Sequence, residues 1–149
     1  MKRFSFRLER VLWLRALTEK ERARDLGSAL QTETARRRTL EDAYARLNRC
    51  GDQIAANRDE VQTAGTMRNL GLTVAEAAGH LEAAATSHLE ATEKVVEEED
   101  RYCEARKDRR VLERLRERRQ TLWNLESSRE EQRDIDSQAR QRRAAGEQE

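Results

Sequence analysis

Leu12, Glu19, Leu26, Glu33, Leu40, Leu47, Ile54 and Val61 recur at an unbroken seven-residue spacing, the interval at which a helix keeps one face against a partner helix. Two of these eight positions are acidic, so the seam is leaky. A companion row four residues on reads Ala16, Ala23, Leu30, Arg37, Tyr44, Gly51 and Arg58, and it puts Arg37 and Arg58 where a self-sufficient zipper carries apolar residues. The pattern predicts a long strut that works in company.

The first helix is predicted from Phe6 or Leu8 to about residue 64, a rod of roughly 85 Å at about 1.5 Å per residue. Gly27 and Gly51 lie inside it. Each costs about 1 kcal/mol relative to alanine and reads as a site of bending or close approach. The pattern lapses after Thr63, where Gly65 and Gly71 flank Met67, Asn69 and Leu70, and a turn is expected over 65–72. Thr73 and Glu76 have capping-box spacing, which starts the second helix at 73 and carries it to about 138. Its apolar row is read as Leu81, Ala85, Leu89, Thr92, Val96 and Cys103, resumed by Leu112, Leu115, Leu122 and Leu125.

The expected architecture is all-α, a long antiparallel two-helix coiled-coil hairpin, with 1–149 as a single coiled-coil domain. With the turn centred near residue 69, facing residue numbers total about 138. Leu26 then lies opposite Leu112, Leu122 opposite Ala16, Cys103 opposite about residue 35, and Cys50 near His88. The tail over 139–149 has no apolar residue beyond alanine and is expected to fray.

Composition narrows the choice further. Charged residues are 40% of the chain, aromatics 4%, and proline is absent, which leaves little for a layered globular core and nothing to break helices. Net charge is only +1, but it is blocked: residues 1–15 hold five basic residues against one acidic, 66–104 three against nine, and 105–119 eight against three. No stretch approaches the roughly 20 apolar residues of a membrane span, and Arg7, Glu9, Arg10 and Arg15 interrupt any signal-peptide core. Cys50 and Cys103 sit in no metal-binding or redox spacing and read as small apolar residues.

Catalytic chemistry finds no foothold. There is no glycine-rich phosphate loop, no nucleophile set on a turn and no metal-ligand spacing, and His80 and His88 lie about two helical turns apart. No cofactor, metal or small-molecule substrate is expected. The run Glu97, Glu98, Glu99 and Asp100 reads as a solvated face. The girdle Arg109, Arg110, Arg114, Arg116, Arg118 and Arg119 could meet phosphates or an acidic protein surface. It lacks interleaved aromatics, which favours protein over nucleic acid. At the N-terminus, Phe4, Phe6, Leu8, Val11, Leu12, Trp13 and Leu14 exceed what one facing helix near Leu122, Trp123 and Leu125 can cover, and such an apolar tip reads as a binding surface.

The same opening, Phe4-x-Phe6-x-Leu8-Glu9-x-Val11-Leu12-x-Leu14-Arg15 with Glu19, resembles the start of the FliJ family, coiled-coil components of the flagellar type III export apparatus. Leu112-Glu113-x-Leu115-x-Glu117-x-Arg119, followed by Glu131, Asp134 and Asp136 before Ala139, is similar to that family's C-terminal run, with Ser137 departing from an expected acidic residue.

The resemblance implies a non-enzymatic antiparallel coiled coil akin to the central stalk of rotary ATPases, serving flagellum biogenesis, motility and chemotaxis. It would engage and activate the hexameric export ATPase, link it to the transmembrane export gate and escort export chaperones, in the cytoplasm at the inner face of the cell membrane. Carried onto this chain, ATPase contact falls to Phe4, Phe6, Leu8, Val11, Leu12, Arg15, Arg119 and Leu122. Gate contact falls to Leu70, Leu72 and Val74. The alternatives are a self-associating structural coiled coil and the equivalent stalk of a virulence-type secretion system.

Overall fold

The computed structural model describes residues 4–56 and 63–146. Within them the chain is all-α: α1 spans Glu9–Ala56, α2 spans Ala64–Gly146, and the two long helices pack against each other without strands among the described residues. Strong helix formers and the absence of proline account for their length. The expected extension of the first helix over 57–62, with Arg58 and Val61 of the predicted rows, lies outside the described residues.

The expected turn over 65–72 is instead helix. Thr63 caps α2: its Oγ1 accepts from the Thr66 N–H at 3.3 Å, and its carbonyl accepts from the Met67 N–H at 3.2 Å and the Thr66 hydroxyl at 2.9 Å, satisfying donors that a helix start leaves orphaned. Thr73, expected as the cap, sits inside the helix with its hydroxyl donated to the Asn69 carbonyl at 3.0 Å. Glycine misled the reading because it weakens a helix without ending one. No described glycine has a positive φ, and a Cβ added at Gly27, Gly51, Gly71 or Gly79 would meet nothing within 4 Å, so close approach does not explain Gly27 or Gly51. Helix α2 also continues through 139–146, where fraying was expected.

Packing follows from two compact units. In the unit of residues 20–104, α1 presents Leu26, Ala29, Glu33, Leu40, Ala43, Leu47 and Cys50, and α2 presents Val74, Ala77, Leu81, Ala84, His88, Ala91, Val95, Glu98 and Tyr102. The buried apolar members are all alanines: Ala29, Ala43, Ala77, Ala84 and Ala91. The companion row of α1 therefore lies three residues after the Leu12 row, at Ala29 and Ala43; Ala16, Ala23, Leu30, Tyr44 and Gly51 are exposed. Likewise Ala85, Leu89, Thr92, Val96 and Cys103 are exposed on α2, as are Leu122 and Leu125. Size misled here, since leucine and tyrosine outweigh alanine in any apolar tally while alanine supplies the buried contact. Cys50 is half-buried, and both cysteines are free thiols.

Register differs from the expected one because the turn was centred too late, on the glycines after Thr63. In this unit Glu33 meets His88 at 3.1 Å and Arg46 meets Glu76 at 3.7 Å. In the unit formed by residues 1–19 with 105–149, Arg15 meets Asp108 at 3.1 Å, Glu9 meets Arg116 at 3.4 Å, and Glu19 pairs with Arg109. Facing numbers thus total between about 121 and 128, about two heptads short of the expected 138. Leu26 does not face Leu112, nor Leu122 Ala16, and Cys50 does not face His88. Helix α1 ends at Ala56 and α2 begins at Ala64, ahead of the predicted turn.

Glu98 is the one buried charge among the described residues, at 5% exposure. Lys94 approaches its Oε1 at 3.1 Å and Arg101 donates to the same oxygen at 2.6 Å. The Lys94 hydrogen bond holds the Glu98 carboxyl below its ordinary value of 4.5, with the Arg101 charge helping and burial opposing. A depressed carboxyl contributes stability above its unfolded-state pKa and loses it as pH falls through the folded value. Acid unfolding followed by circular dichroism should accordingly weaken the fold below about pH 4.5, and Glu98→Gln should flatten part of that slope; an identical slope would discount the pair. Gly79→Ala should raise stability by about 0.5–1 kcal/mol, measured by urea denaturation, since its Cβ enters open space.

Candidate functional site

The unit holding the N-terminus joins the start of α1 to the later part of α2. Phe4 stacks against Trp123 with ring centroids 6.1 Å apart and planes at 57°, a tilted geometry favoured by the aromatic quadrupole. Phe6 and Leu12 are buried and Leu8 half-buried. The Phe6 carbonyl accepts the Glu9 N–H at 3.0 Å, leading the chain into α1.

Around this small apolar centre the paired surfaces are ionic. Glu9, Arg15 and Glu19 of α1 meet Arg116, Asp108 and Arg109 of α2, and Arg109 also reaches Glu113 at 2.7 Å. The basic girdle read from the sequence is therefore divided. Arg109 and Arg116 are engaged with α1, whereas Arg110, Arg114, Arg118 and Arg119 are exposed.

The outer side of α1 is apolar. Trp13 is 64% exposed and Leu14 53%, with Val11 and Leu17 also exposed, and Trp13 and Leu14 line a shallow depression with Glu9 and Arg10. Arg10, Trp13, Leu14 and Leu17 follow helical spacing and point away from the Leu8, Leu12 and Glu19 side that meets α2. On α2, Leu122 and Leu125 are exposed one turn apart.

The eight residues expected to contact an ATPase thus separate into two groups. Phe6 and Leu12, with Phe4 and Leu8, hold the helix ends together; Val11, Arg15, Arg119 and Leu122 are exposed. Trp13, Leu14 and Leu17, the most accessible apolar surface of α1 here, were left off the expected list. The signal for them was present, since they fall outside the heptad rows in a chain poor in large apolar residues. Of the residues expected at a gate, Leu70 and Val74 are half-buried and Leu72 is exposed, near exposed Met67.

Among the described residues no helix is long and apolar enough to cross a membrane, and no group of three or more His, Cys, Asp and Glu residues could hold a metal ion. No match was found among curated proteins or among solved structures. The family described as flagellar FliJ protein matches residues 4–148; nearly the whole chain is covered by that match, and the protein belongs to the FliJ family, with a role tied to flagellar export.

Proposed function

We propose that the protein is a non-enzymatic stalk of the flagellar export apparatus that binds and activates the hexameric export ATPase, links it to the export gate and escorts export chaperones. Family membership across 4–148 carries this reading, and the exposed apolar face around Trp13 gives it a physical basis, because large exposed apolar side chains beside charged ones are the usual anchors of a protein interface. Being flagellar, the family favours flagellar export over related injection systems. The work would be done in the cytoplasm at the inner face of the cell membrane.

The ATPase surface would comprise Val11, Trp13, Leu14, Leu17 and Leu122, with Arg15 and Arg119 at its edge. Phe4, Phe6, Leu8 and Leu12 would act beneath it, keeping the two helix ends paired so that the surface is preformed. A stalk changes the state of a ring only by preferring one arrangement of its subunits over others. The charged blocks and unlike faces of this chain suit that demand, since a single rod inside a ring meets a different environment on each side.

Trp13→Ala with Leu14→Ala should weaken binding to the cognate ATPase by about tenfold or more, with helicity and melting temperature unchanged. Titration with ATP hydrolysis as the readout measures it, and undiminished stimulation would remove this face from the interface. Should the protein instead sediment as a stable dimer without effect on ATP hydrolysis, a self-associating scaffold would be the better account.

At the other proposed contact, Leu72→Ser should lower flagellar protein export in cells while leaving ATPase stimulation intact. Parallel loss of both would contradict a separate gate surface at Leu70, Leu72 and Val74.

A further inference from the structure

The unbroken helix α2 carries a charged row on the side turned away from α1. Glu93, Asp100, Lys107 and Arg114 recur every seven residues. Asp100 lies two residues from each of the seam residues Glu98 and Tyr102, and Lys107 two residues from Arg109, which pairs with Glu19 of α1. At about 100° per residue, two residues along the helix is the opposite side. All four row members are exposed, and none makes an ion pair among the described residues.

The signs along this row are antisymmetric. It is acidic at Glu93 and Asp100 and basic at Lys107 and Arg114, so the charge inverts about a point between Cys103 and Glu104. A two-fold axis crossing a helix at that point turns each acid onto a base, which is the self-complementarity that a symmetric dimer requires. A partner of uniform charge would satisfy only half of the row. We propose that two copies of this chain associate antiparallel through this face of α2, with Glu93 against Arg114 and Asp100 against Lys107 of the second copy, each pair made twice.

The flanking row supports the same register. Glu90 and Arg118, both exposed, face each other across the contact and add a third opposite pair, while Glu104 meets its own counterpart at the axis with a Lys107 on either side. Val96 and Val111, 57% and 65% exposed, come to one level and lose water there. Sliding by one heptad is worse in both directions. It sets Lys107 against Lys107 or Asp100 against Asp100 and leaves fewer opposite pairs. Because the Trp13 face of α1 points away from α2, the dimer leaves it uncovered, and self-association and ATPase stimulation are separate readouts that can fail separately.

Sedimentation equilibrium of the full-length protein tests the assignment. Dimer should be measurable below about 100 μM protein at about 50 mM salt, and association should weaken at least tenfold at about 500 mM salt, because exposed pairs are screened. Lys107→Glu with Arg114→Glu, and separately Glu93→Lys with Asp100→Lys, should each leave a monomer of unchanged helicity, since all four side chains are exposed. Mixed together, the two swapped proteins should associate one to one, because every facing pair of the row is then opposite in sign. A short bis-maleimide should join two native chains through Cys103, which lies beside the axis, and not through Cys50. A monomer at low salt, association indifferent to salt or to the swaps, swapped proteins that fail to combine, or linkage through Cys50 would each overturn the proposal.

Discussion

Charge pairing across a thin seam is the constraint from which the remaining structure follows. The buried apolar residues of the 20–104 unit are alanines, and each contributes little: burial of one methyl-sized group is worth about 0.8 kcal/mol, against about 1.5–3 kcal/mol for a whole leucine. Alanine facing alanine also fits equally well after a slide along the helix. Glu33 against His88 in this unit, and Glu19 against Arg109 in the other, do not. Acidic residues in a heptad row, which look like flaws, are the elements that define which turn of α1 meets which turn of α2. Polar seam positions are well attested as register devices.

This explains which parts of the fold were legible. The helical content, the two-helix arrangement and the Leu12 row were readable because spacing alone determines them. The register was not. Moving the turn by one heptad shifts every partner by two and leaves the rows superposed, so Leu26 could be set opposite Leu112 with no violation of the pattern. Pairs such as Glu19 with Arg109 and Glu33 with His88 break the degeneracy, and they are invisible until the two helices are laid side by side. The connection was hidden by a similar ambiguity. Gly65 and Gly71 looked like punctuation, but Thr63 supplies the hydrogen bonds that begin α2 ahead of them.

The site shows the same division. The sequence drew attention to the right end of the chain, because both phenylalanines and one tryptophan gather there. Spacing already set Trp13 and Leu14 off the Leu8, Leu12 row, yet the expected ATPase contacts kept Phe6 and Leu12 and left Trp13 and Leu14 out. Phe6 and Leu12 are buried, while Trp13 and Leu14 are accessible, and Leu12 and Trp13 are neighbours in the chain. A turn of about 100° per residue is enough to move a side chain from the seam to the surface. A reading that assigns a whole segment to one role loses that distinction.

Beyond Trp123, α2 outlasts its companion: Phe4 is matched to Trp123, and residues 124–141 are exposed apart from partly shielded Ser127. A lone stretch of helix in water draws only on local propensity and near-neighbour bonds such as Gln132 to Asp136. Its amide protons should therefore exchange with deuterium far sooner than those beside Ala77 or Ala84, and trypsin should trim it at Arg129, Arg133 and Arg140 before touching the paired region. That soft extension gives any incoming surface a segment to stiffen, converting capture into a gain of order.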